Sequence, residues 1–230
     1  MKTSNKILLG ILMVCFGFFI SSHLILHGKY VRKEFVLPAK ADAFFFHEHT
    51  LPIIHYVQLN RLDGCELISS DTAKLLIEKS PFTTIDYHVS GDTLFVNGSD
   101  KWARWATPRV KLYIPQVKSF IVTDCNINIK GNRDSTNRRN YHFELNNGHL
   151  FTRYYFTDSA FNKYFDTLSI NARNSSEVVL NKRDYYKLID VNLDNSAFLE
   201  KNAKREKINI TADSTSIVVT GGKDYNRYLY

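Results

Sequence analysis

Cysteine, proline and glycine are all scarce in this chain, at 3, 5 and 10 of 230 residues. Three cysteines exclude a scaffold built on disulfides. Cys15 falls in an apolar N-terminal run, so only Cys65 and Cys125 could pair in an oxidising compartment. Buried free thiols in strands are the plainer expectation, because cysteine is among the most buried residue types. Signatures of chemistry are also missing. There is no G-x-S-x-G elbow, no Ser/His/Asp order, and no phosphate loop, since Gly221-Gly222 stands alone as a turn. No recognition helix or aromatic RNA-binding signature accompanies the basic residues, which argues against nucleic acid. The Leu/Asn pattern of leucine-rich repeats is absent too.

What is abundant points to strands. The chain has 16 Phe and 13 Tyr, and aromatic residues suit a pleated, half-buried surface. Asparagine clusters between apolar runs, where it adopts turn conformations. A hydrophobic share of 44% with 23% charged residues fits a buried core rather than disorder. The formal charge of +7 favours anionic partners without choosing among them.

Lys2 and Lys6 precede an uncharged run from Ile7 to Leu26, long enough as a helix to cross a bilayer. Ser21-Ser22-His23 is a poor cleavage site, and Met13-Val14-Cys15-Phe16 is a poor lipoprotein site. The expected organisation is a short tail over 1–6, an uncleaved transmembrane anchor over 7–26, a tether over 27–52 and a folded ectodomain over 53–230. A long domain after a first helix translocates largely regardless of charge, which places the bulk outside the cytoplasm, in the periplasm of a bacterial inner-membrane protein.

Within the ectodomain, Tyr56–Leu59, Glu66–Ser69 and Lys74–Glu78 read as short strands. Ile85, Tyr87 and Val89 alternate with polar residues before Ser90-Gly91-Asp92 turns the chain into Thr93–Val96, a hairpin. Trp102–Thr107 reads as a loop or bulge, and Val110, Leu112 and Ile114 alternate again. The second half repeats: Leu168-x-Ile170-x-Ala172, Ile189-x-Val191-x-Leu193 and Ile208-x-Ile210-x-Ala212 start about twenty residues apart. Each is followed by a polar corner (Ser175-Ser176, Ser196-Ala197, Thr215-Ser216) and a second apolar run. Phe120-x-Val122 with Ile127-x-Ile129 is a shortened earlier copy. Such a unit buries its apolar side only by stacking on a neighbour, which predicts an all-β fold, a parallel β-solenoid, with a β-sandwich as the alternative.

Ser90–Leu94, then Val110-Lys111-Leu112-Tyr113-Ile114-Pro115 with Val117–Phe120, then the corners at Ser175-Ser176, resemble a bacterial family of candidate auto-transporter adhesins with a head GIN domain. The resemblance runs from about Ile54 to Gly222 and implies a right-handed solenoid in the cell envelope with no established enzymatic role. Two departures stand out: the rungs are poor in glycine, and Arg133–Asn140 is a charged insertion.

Candidate chemistry is thin. His47, His49 and His55 have a spacing that zinc sites can use, but no Cys/His cluster supports a metal, and solvated side chains are expected. No cofactor is expected. Asp184, Asp190 and Asp194 with Arg183 could imitate the acids of a polysaccharide lyase or hydrolase, the alternative to a non-enzymatic module. A single-pass sensor is a further alternative. The favoured surface is a row of basic turns in which Arg183-Asp184-Tyr185 and Lys223-Asp224-Tyr225 read alike, forty residues apart. Stacked, Arg183, Tyr185, Lys204, Arg205, Lys223 and Tyr225 would form a basic, aromatic ridge for an anionic envelope polysaccharide or another envelope protein.

Overall fold

The computed structural model describes residues 3–31, 43–79, 84–98, 109–115, 117–131, 138–152 and 163–221. The chain divides into two units after Phe45. The first contains α1 (Thr3–Val31), in which Leu9–Lys29 is long and apolar enough to cross a membrane. It is apolar all round, as a lipid-facing helix must be, and the Ser21 hydroxyl donates to the Gly17 carbonyl at 2.8 Å, so its proton is satisfied inside the helix. The helix extends beyond the apolar run at both ends, since no proline interrupts its polar flanks.

The second unit is built of two mixed sheets, neither closed. Short strands open it: β1 (Phe46–Thr50), β2 (Tyr56–Asn60), β3 (Cys65–Ser69), β4 (Lys74–Glu78), β5 (Ile85–Ser90), β6 (Thr93–Gly98) and β7 (Val110–Ile114). There follow β8 (Ser119–Thr123), β9 (Asn126–Lys130), β10 (Tyr141–Asn146) and β11 (His149–Phe151). The longest strands come last, in β12 (Lys163–Arg173), β13 (Glu177–Leu180), β14 (Asp184–Asp194), β15 (Ala197–Glu200), β16 (Lys204–Ala212) and β17 (Ile217–Thr220). β1 lies inside the segment expected as tether; it pairs with β4, and Leu51 beyond it is buried in the core.

From β8 onward the chain alternates between the sheets. Even-numbered strands stack in parallel as β8-β10-β12-β14-β16 in the eight-stranded sheet, called sheet B here. Odd-numbered strands stack as β9-β11-β13-β15-β17 in the nine-stranded sheet A. The anticipated register is present: Leu168 opposes Ile189, and Ile189 opposes Ile208. A rung that the sequence reading passed over, Tyr141-x-Phe143-x-Leu145 with Leu150, sits between the Phe120 and Leu168 copies. Inward side chains of both sheets make one core. Phe120 stacks on Phe143 at 4.8 Å and Phe165 on Tyr186 at 4.7 Å between ring centres. Each such buried side chain contributes roughly 1.5–3 kcal/mol.

The corners explain the scarcity of glycine. Arg61, Asp124, Asn147, Asn174 and Asn195 hold positive φ at the same place in successive rungs, where Asn and Asp are the non-glycine residues best able to sit. They also bond to the neighbouring rung: Asn147 Nδ2 donates to Asp124 Oδ1 at 2.6 Å, and Asn174 Nδ2 to Asn146 Oδ1 at 2.7 Å. The serines of the repeat continue this ladder inside, with Ser176 Oγ accepting from the Gly148 amide and Ser216 Oγ from the Ser196 amide, both at 3.1 Å.

The two ends differ. At one end β2–β3 is inserted between the β6–β7 and β8–β9 pairs, an order that does not follow the sequence. β1, β4 and β5 then add antiparallel strands, and His49 packs on the Tyr87 ring at 4.8 Å. The expected Ile85–Val96 hairpin is β5–β6, with Gly91 at φ 61° in its turn. At the other end Val218 is 41% exposed although its register partner Phe198 is fully buried.

Candidate functional site

The alternation of inward and outward residues slips by one at Asp166, Lys187 and Glu206, which share a position in β12, β14 and β16. Phe165 and Leu168 are therefore both buried, as are Tyr186 and Ile189. Ahead of the slip, Tyr164, Tyr185 and Lys204 fall side by side near the sheet B end of the rungs. The ring centres of Tyr164 and Tyr185 are 6.0 Å apart, and the Arg138 guanidinium lies 5.8 Å from the first and 4.8 Å from the second. Arg138 thus spans two tyrosines, a cation held over aromatic faces. The Tyr185 hydroxyl donates to Glu206 Oε1 at 2.9 Å, and this bond to a carboxylate raises the phenol above its ordinary pKa.

Beside this group opens a cavity of about 750 Å³, lined among others by Lys118, Arg138, Arg139, His142, Thr167 and Ser169. Arg139 serves the wall: it donates to the Ser70, Ile114 and Pro115 carbonyls and pairs with Asp71. Lys118 is exposed and reaches over the Tyr56 ring at 5.8 Å. The cavity is therefore lined by cationic side chains, one of which, Arg138, also lies over a pair of tyrosine rings, a combination that can take an anionic group and a flat apolar face together.

Of the six expected ridge residues, Tyr185 and Lys204 are register partners in this group. Arg183 is exposed in the turn before β14. Arg205 is directed elsewhere: it pairs at 2.5 Å with Glu200, a fully buried carboxylate whose pKa burial raises. Removing that cation would leave a buried charge uncompensated, so Arg205 reads as structural. Lys223 and Tyr225 lie outside the described residues, as do Trp102–Thr107 and most of the charged stretch that begins at Arg133. Tyr164 was missed by sequence reasoning, and Arg138 entered it only within the basic stretch Arg133–Asn140, not as a ridge residue. The signal for the first was the doublet Tyr164-Phe165, repeated 21 residues later as Tyr185-Tyr186.

The alternative chemistries find no shared site. Asp184 is fully buried and accepts from the Tyr186 hydroxyl at 3.2 Å, whereas Asp190 and Asp194 lie on the outer face of sheet B. His49 packs on Tyr87, and His55 lies 3.2 Å from Asp92. No three His, Cys, Asp or Glu side chains gather to hold a metal among the described residues. Cys65 and Cys125 are buried free thiols; burial pushes Cys65 well up and Cys125 up to about 12.

No protein-family model and no curated protein matches the sequence. Among solved structures the chain is similar to a candidate adhesin from Parabacteroides merdae, at 10% identity over 76% of this chain and 95% of that one, with a TM-score of 0.42. It is also similar to a candidate cell adhesion protein from Clostridium sporogenes, at 11% identity over 73% and 99%, TM-score 0.29. A candidate adhesin from Bacteroides fragilis matches at 7% identity over 75% and 94%, TM-score 0.32.

Proposed function

We propose that this chain is a non-enzymatic envelope protein, held in the bacterial inner membrane by α1, whose ectodomain is a right-handed β-solenoid that binds an anionic polysaccharide at its basic corner. The solenoid reading is supported by the strict alternation of β8 to β17 between two sheets and by the in-register parallel pairing of each strand with the strand two later. The same alternation is what the head GIN resemblance implies. The binding reading rests on one observation: Arg138 lies over Tyr164 and Tyr185 beside a cavity that also meets Lys118. Uronic acid polymers present carboxylates at regular intervals on rings with apolar faces, and this corner matches both features.

The test is retention of the full-length protein, in detergent, on immobilised polygalacturonate and on uncharged dextran. Retention on the first alone, lost at high salt, is the expected outcome. Lys118→Ala with Arg138→Ala should reduce it at least about tenfold, a loss of roughly 1.4 kcal/mol. Equal retention on both matrices, or a double variant that binds like the parent, would discard the site.

A further inference from the structure

The outer face of sheet B carries a feature that the basic corner leaves unexplained. In β10, β12, β14 and β16 two adjacent outward positions are polar and in register. Glu144, Asn171, Asn192 and Thr211 form one row across the strands. His142, Ser169, Asp190 and Asn209 form the row beside it. Hydrogen bonds fix the first row: Asn171 Nδ2 donates to Glu144 Oε1 at 2.7 Å, and Asn192 Nδ2 donates to Asn171 Oδ1 at 2.9 Å. His142 joins the rows, 2.9 Å from Glu144 Oε1 and 3.1 Å from Ser169 Oγ.

Stacked amides stabilise parallel in-register strands, so a ladder has a structural use on its own. Stacking does not require this composition, however. In the partner strands of sheet A the row on the side away from the shared core is Phe151, Val179 and Leu199, the last two themselves buried. Asn and Asp are disfavoured in strands, yet they supply Asn171, Asp190, Asn192 and Asn209 here. The rows spend β-propensity to present paired donors and acceptors at a regular pitch.

We infer that this face is a second site, for an uncharged sugar chain lying across the strands with one ring per rung. Neighbouring sugar hydroxyls both donate and accept, which suits amide and carboxylate side chains that do the same. The bonds within the ladder hold those groups in place, so little side-chain freedom is lost on binding. The strands repeat at about 4.8 Å, close to the advance of one ring in an extended chain. The two rows themselves carry Glu144 and Asp190 and no lysine or arginine, which disfavours a polyanion along them, while Arg173, Lys187 and Lys207 lie to either side. The rows adjoin the anionic corner at His142 and Ser169, which also line its cavity, but the inference uses neither Lys118 nor Arg138.

Calorimetric titration of the full-length protein in detergent with cellotetraose, mannotetraose and xylotetraose tests it, followed by the dimer and hexamer of any sugar that binds. One tetramer at least should bind, about tenfold or more tighter than its dimer, with little further gain in the hexamer because four strands carry the rows. Raised salt should leave this binding unchanged. Asn171→Ala with Asn192→Ala should weaken it about tenfold. Glu144→Gln, which keeps the shape of the ladder, should weaken it too and guards against a double variant that fails to fold. No binding of any tetramer, affinity independent of length, or folded variants that bind like the parent would each overturn the site.

Discussion

Asp213 closes the corner between β16 and β17 with its side chain as well as its carbonyl, which accepts from the Ser216 amide at 3.4 Å. It accepts from the Ser216 and Thr215 hydroxyls, the latter at 2.5 Å, and these bonds hold its carboxyl down at about 2. The unfolded chain takes up a proton near the ordinary aspartate pKa, about 3.9, before the folded one does. The contribution of Asp213 to stability is thus complete above that pH and lost as pH falls through about 2. Asp213→Asn should lower the urea midpoint at pH 6, and the gap from the parent should close on acidification to pH 2. A gap that stays constant with pH would assign the effect to shape rather than charge. The other corners solve the same problem by backbone conformation, and the abundance of asparagine made that legible. The bonds between corners, such as Asn147 to Asp124, were not, because their partners are 23 residues apart.

At the scale of elements, the rungs whose apolar alternation and polar corner survive intact were readable as a repeat: β12–β13, β14–β15 and β16–β17. The rung β10–β11 escaped because its second strand, His149–Phe151, contributes one inward residue, Leu150, and the next copy is 27 residues away rather than twenty. Its core role is nevertheless central. Phe143 is fully buried, stacked on Phe120 and close to Tyr141. Phe143→Ala should cost about 3–5 kcal/mol in chemical denaturation, as cavities left by large aromatic residues do. A loss under 1 kcal/mol would mean that the stack closes over the gap. The placement of β2–β3 between later strands has no local signature, since pairing across that distance is decided by tertiary packing. The corner site was half legible for a similar reason: Tyr185 and Lys204 lie in the repeat, but Arg138 reaches them from a stretch that reads as insertion.

The whole molecule combines a helix that exposes apolar side chains throughout with a strand-built unit that begins at Phe46 and keeps its own core. Residues 46–230 should therefore be soluble without detergent and melt at the same midpoint as the full chain, followed by circular dichroism. A midpoint many degrees lower would show that the N-terminal helix contributes to the fold. The parallel in-register rungs have a last consequence, for how such a chain changes over generations. Each repeat meets its neighbours through nearly the same surfaces, while the antiparallel strands β1, β4 and β5 finish one end. Duplication of a coding segment for one internal repeat would add one strand to each sheet and leave that finished end untouched. Length, and with it the number of sugar rings the outer face could span, is the property this architecture can alter most cheaply.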